Sequence, residues 1–275
     1  MPWYFFAGGL AGASAALAYA ARAAGNDELA RGAWIASLAG IGASPPLLIA
    51  DLGRPERFLN MLRVLKPTSP MSVGSWLLGA TAPAIALAAG RDLAGWFPRA
   101  GRAAGPVAAL LGLPLSTYTA VLVANTAIPA WSEARRELPF LFAGGAAASA
   151  GAAATLLTPP ASAGPARRLA VGGVVVEAAA EVAMQRRLGD LGAPYREGAA
   201  GRYRRAAQAL TTGGALLVGA ARARRAGRLA GATMVLAGAA CERWMVFEAG
   251  FGSARDPAHT VAPQRERLSR STSPA

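Results

Sequence analysis

Residues Leu138–Leu157 read LPFLFAGGAAASAGAAATLL, twenty positions without a charged side chain. At about 1.5 Å of rise per residue, a helix of that length covers roughly 30 Å, the hydrocarbon thickness of a bilayer. No water at that depth can satisfy backbone polar groups, so a run of this length and composition crosses as a helix, whose bonds close internally. Working outward, apolar stretches of the same kind occupy residues 5–21, 33–50, 73–90 and 105–131 before it, and 169–185, 206–221 and 229–247 after it. The reading is an all-α integral membrane protein of about eight transmembrane helices. A polytopic domain takes residues 1–249 and a polar C-terminal tail takes 250–275. The composition agrees, since 53% hydrophobic and 16% charged residues with mean hydropathy +0.32 lie outside the range of soluble domains.

The charge and the metal-binding residues exclude other classes. The formal net charge is +13, but 27 of the 28 basic residues are arginine and they gather between the apolar runs, where they meet lipid headgroups. No nucleic-acid partner is expected. The first apolar stretch has no basic segment ahead of it and is as long as a span, so it reads as the first helix and not as a cleaved leader. Cys241 is the single cysteine and His259 the single histidine. No bis-histidine haem, no cysteine-ligated iron–sulfur cluster and no metal site is therefore expected in this chain. Small residues such as Gly8, Gly9, Gly12, Gly144, Gly145 and Gly151 suit close helix packing, and Pro106, Pro114 and Pro129 permit kinks. Trp3, Trp34, Trp76, Trp96, Trp131 and Trp244 fall near span ends, as an aromatic belt would place them.

One segment is not explained by the need to span. Residues 51–76 read DLGRPERFLNMLRVLKPTSPMSVGSW, dense in charge and broken by Pro55, Pro67 and Pro70. The segment resembles the signature of the NrfD and polysulfide-reductase membrane-subunit family. Tyr118-Thr119, Ile128-Pro129-Ala130-Trp131, Leu138-Pro139-Phe140, Phe247-Glu248-Ala249-Gly250 and Ser253-Ala254-Arg255-Asp256-Pro257 also resemble that family's pattern, and together they cover both halves of the chain. The resemblance implies a quinone-interacting subunit that anchors a molybdopterin oxidoreductase in the prokaryotic cytoplasmic membrane. It further implies electron exchange between menaquinone or ubiquinone and a ferredoxin-like iron–sulfur partner subunit, with a molybdopterin catalytic subunit beyond it. The quinone pocket is then expected in the bundle of the first four helices, near the face where the iron–sulfur subunit docks. Tyr118 matches the family's pocket tyrosine, whereas Tyr4 stands where the family's polysulfide-reductase subunit has a histidine. A tyrosine donates a hydrogen bond readily but is a poor proton acceptor near neutrality.

A quinone needs an apolar slot, a donor to each carbonyl and a proton path. Asp51, at the end of the second span, is the candidate proton acceptor near the slot, with a salt-bridged loop carboxylate as the alternative. Trp76 is the tryptophan expected to touch the quinone. Arg54, Arg57, Arg63 and Lys66 are the candidate partner-docking residues. Glu177 and Glu181, four apart, share one face of the sixth span. They read either as a proton route or as a structural charged network with Arg243, since ionisable groups at membrane depth point first to function. Two other functions stay open: a passive anchor without a quinone site, and a secondary transporter, for which no internal repeat is evident. Lysine and arginine number 16 on the side of both termini and 11 on the other, which favours cytoplasmic termini; the family resemblance favours the opposite orientation.

Overall fold

The computed structural model describes residues 1–53, 56, 59–220 and 225–255. Among these residues the chain is helical, without strands. Its elements are α1 (Pro2–Ala23), α2 (Asp27–Asp51), α3 (Pro70–Ala94), α4 (Pro98–Ala124), α5 (Pro129–Glu133), α6 (Leu138–Leu157), α7 (Gly164–Leu188), α8 (Ala193–Arg196), α9 (Gly198–Ala220) and α10 (Arg225–Arg255), with single 3-10 turns at Leu59–Leu62 and Gly189–Gly192. Five of the helices, α1, α2, α3, α4 and α6, are long and apolar enough to cross a membrane. α7, α9 and α10 are also long, at 25, 23 and 31 residues, but are less apolar.

Local chemistry sets the ends. Asn26 caps α2, its side chain accepting from the Leu29 amide at 3.1 Å, with Asp27 and Glu28 in the first turn where the helix dipole favours them. Ser69 caps α3 ahead of Pro70, and α3 stops at Gly95, whose φ of 73° only glycine adopts without strain. The fourth apolar run, read as 105–131, divides in the structure. α4 begins earlier, at Pro98, runs through Pro106 and Pro114, and ends at Ala124; Pro129 then opens α5, in the first turn, where its missing N–H costs nothing.

α1 and α6 are the central helices: α1 packs against α2, α4, α6 and α10, and α6 against α1, α2, α4, α7 and α10. α1 and α4 touch backbone to backbone at Gly12 and Gly112, where a Cβ on either would run into the backbone of the other helix. Successive long helices alternate in direction, which gives the bundle two faces. The terminal face holds Met1, residues 59–69, α5, α8 and the end of α10. There Trp131 Nε1 donates to the Val246 carbonyl at 2.6 Å, and Tyr195 donates to the Ala130 carbonyl at 2.9 Å. Burial, and then the charge of Glu137, push the Tyr195 hydroxyl pKa up, so it stays a donor. At the far face Asn26 donates to the Ser162 carbonyl at 2.9 Å, joining the α1–α2 and α6–α7 turns.

α10 runs without interruption through Gly250 to Arg255, and residues 256–275, including His259, lie outside the described residues. The six tryptophans differ in burial. Trp3, Trp76 and Trp96 are exposed, Trp34 and Trp131 are buried and use their indole N–H groups inside the bundle, and Trp244, half-buried, stacks on Tyr203.

Candidate functional site

Three residues of the first four helices meet near the terminal face. Gly74 lies one turn into α3, Tyr4 lies at the start of α1, and Tyr118 lies six residues before the end of α4, a depth of about 9 Å. The Tyr118 ring occupies the space that a Cβ on Gly74 would need. The absence of a side chain at Gly74 is therefore what seats that ring between α3 and α4. Tyr118 is 9% exposed and Tyr4 4%, and the two phenols are close enough to interact electrostatically. Neither hydroxyl is hydrogen-bonded to another of the described residues.

The next residue along α3 faces the loop. Ser75 Oγ donates to the Met61 carbonyl at 3.2 Å, and Leu62 rests over Gly79, so the Leu59–Leu62 turn folds back onto α3. Consecutive positions on one helix thus hold Tyr118 and the charged loop. Arg63 and Lys66 are exposed on that loop, while Arg54 and Arg57 lie outside the described residues. Asp51 closes α2 on the same face, its carboxylate 2.5 Å from the Met1 amino group. Trp76 is 41% exposed and so points away from the packed interior.

A second constellation lies in the middle of the bundle. Glu177 on α7 and Glu242 and Arg243 on α10 are all buried. Arg243 pairs with Glu242, donates to the Phe142 carbonyl at 3.0 Å and sets its guanidinium carbon 3.8 Å from the centre of the Phe142 ring. Glu181, one turn along α7, accepts from Arg204 at 2.5 Å and from Gln208 at 2.8 Å, both on α9. The structure therefore brings Glu177, and not Glu181, to Arg243. Glu242 and Arg204 were not singled out by sequence reasoning. Glu242 offered a signal, being a carboxylate within an apolar stretch, but Arg204 sits in a basic run, Arg202-Tyr203-Arg204-Arg205, that reads as a solvated loop.

A third cluster marks the far face and was also missed. The Asp92 side chain, 4% exposed, accepts from Trp34 Nε1 and Arg22 Nε at 2.9 Å and from Arg91 at 2.7 Å. It ties α1, α2 and α3 together beside a cavity of about 180 Å³ lined by Tyr19, Arg102 and Gly105. A carboxylate so completely matched by donors is built as a structural anchor. Among the described residues no group of three or more metal-ligating side chains comes together.

The family model described as Polysulphide reductase, NrfD, matches residues 1–184, which takes in α1 to α6 and most of α7, with Tyr4, Asp51, Gly74, Tyr118, Glu177 and Glu181 inside the match and Glu242 and Arg243 beyond it. Among the curated proteins none matches. With two thirds of its length matched, and with the helical bundle and the charged loop where that match lies, this chain belongs to the NrfD polysulphide reductase family.

Proposed function

We propose that this chain is the quinone-interacting membrane subunit of a molybdopterin oxidoreductase complex. In this reading eight helices span the prokaryotic cytoplasmic membrane and a ferredoxin-like iron–sulfur subunit docks on the 52–69 loop. Family membership supports a membrane subunit of an oxidoreductase complex. The observation that carries the finer reading is the seat of Tyr118 on Gly74, directly behind the helix turn that bonds the loop.

The residues present fit a quinone head group. Two phenols on neighbouring helices, buried and not engaged by other described residues, are the donors that carbonyl oxygens need. When bound, menaquinone or ubiquinone supplies the two-electron, two-proton chemistry. Tyr118 donates a hydrogen bond to one carbonyl and fixes the head group's orientation. Tyr4, which donates but does not act as a base near neutrality, serves the same end, and the proton is left to Asp51 or to water at the terminal face. With Cys241 and His259 as the only cysteine and histidine, the electron carrier nearest the quinone belongs to the partner. Tunnelling weakens steeply with distance, so the pocket belongs at the docking face, where Tyr118 lies.

Tyr118→Phe in the assembled complex tests this reading. It removes one donor worth about 0.5–1.5 kcal/mol, so quinol-linked turnover is expected to fall roughly 2- to 12-fold with partner binding unchanged. Unchanged turnover would favour the passive anchor.

A further inference from the structure

Glu177 on α7 and Glu242 on α10 converge on the backbone of α6 at Gly145. A Cβ at Gly145 would stand 2.9 Å from Glu242 Oε2, 3.2 Å from Arg243 Nη2 and 3.4 Å from Glu177 Oε2, so two carboxyl groups and one guanidinium share a single small space. All three residues are at least 95% buried. Arg243 is committed to Glu242 and to the carbonyl and ring of Phe142. That leaves Glu177 Oε2, Glu242 Oε1 and Arg243 Nε buried with no hydrogen-bond partner.

The charges do not balance. The other charged group acting on the two glutamates is Glu181, and Arg204 on α9 already pairs with it at 2.5 Å. From α1 and α6 the neighbours of Arg243 and Glu242 are Gly9, Phe142 and Gly145, none of them charged. With both carboxyls ionised, one negative charge would stand uncompensated in the buried interior of the bundle, which is strongly disfavoured. We propose that Glu177 and Glu242 share one exchangeable proton, making this cluster a proton-binding site at the centre of the bundle. The polar line continues outward. Glu181 and Gln185 follow Glu177 at four-residue intervals along α7, about 6 Å apart on one face. Gln185 Oε1 accepts from Arg196 at 3.2 Å near the terminal face. The site requires neither a quinone nor a partner subunit, so it stands or falls apart from the function proposed above.

Infrared spectroscopy of the full chain in lipid nanodiscs, with deuterium exchanged for hydrogen as the probe, tests it. The wild type is expected to show a protonated-carboxyl stretch at neutral pH that shifts in heavy water and with isotope-labelled glutamate. Glu177→Gln and Glu242→Gln are each expected to abolish that band, because each leaves one carboxylate to one guanidinium. A wild type with no labelled-glutamate band overturns the proposal, as does a band that survives either substitution in a variant retaining its helical circular dichroism. If neither variant folds, the labelled wild-type spectrum decides alone, presence of the band supporting the site and its absence overturning it.

Discussion

Gly74→Ala probes the seat of Tyr118 without touching a hydrogen-bonding group. The new methyl would fall within the phenol ring. Ordinary carbon contacts lie at about 3.5–4.0 Å, so the ring must withdraw by on the order of 2 Å. A hydroxyl moved that far leaves the range of a hydrogen bond, about 2.5–3.0 Å between oxygens. Overpacking costs about 1–3 kcal/mol of stability, and a misplacement of this size costs a positioned reaction up to roughly 100-fold. Quinol-linked turnover of the assembled complex is therefore expected to fall about 10- to 100-fold, more than for Tyr118→Phe. The double variant is expected to lose little beyond Gly74→Ala alone, since the two changes act on one contact. Gly8→Ala is the control: it lies on α1, buried, with nothing within 4 Å of its added Cβ, and should leave turnover intact. Wild-type turnover in Gly74→Ala, or an equal loss in Gly8→Ala, would show that the seat on Gly74 does not position Tyr118 for turnover.

Three further outcomes are expected. The purified subunit should show no haem Soret band and no stoichiometric iron, because the single histidine, His259, lies in the polar tail and not within an apolar run, and the single cysteine cannot ligate a cluster; one cluster per chain would contradict this. Arg243→Met should lower stability by about 3–5 kcal/mol, read as a fall in the thermal midpoint, because it strips Glu177 and Glu242 of their counter-charge. An unchanged midpoint would show that the cluster is not held by that guanidinium. Charge reversal of Arg63 and Lys66 together should weaken binding of the iron–sulfur subunit, measured by co-purification, and leave the isolated chain's thermal midpoint unchanged. Undiminished binding would remove the loop from the docking surface.

The helices were legible where apolarity alone defines them. The run at Leu138–Leu157 became α6 with those ends. Ends built from polar residues were not, because hydropathy is blind to caps: α2 starts at Asp27, in a turn that reads as a loop until Asn26 is recognised as its cap. α9 begins at Gly198 and not near 206, since Arg202, Arg204 and Arg205 lie within the helix and Arg204 turns inward to Glu181. The site shows the same division. Tyr118, Glu177 and Glu181 stood out as polar groups in apolar surroundings. Gly74 was one glycine among 33, and nothing local says that a ring from α4 fills its place. Asp92 lay hidden beside Arg91 in what reads as a basic loop, and the partners that bury it come from α1 and α2.

Electron transfer between quinone and an iron–sulfur partner, as proposed for this chain, can be followed directly. Menaquinol or ubiquinol added to the assembled complex should reduce the partner's iron–sulfur cluster, followed optically, and Tyr118→Phe should slow that reduction roughly 2- to 12-fold. Cluster reduction at the same rate in a complex lacking this chain would contradict the account.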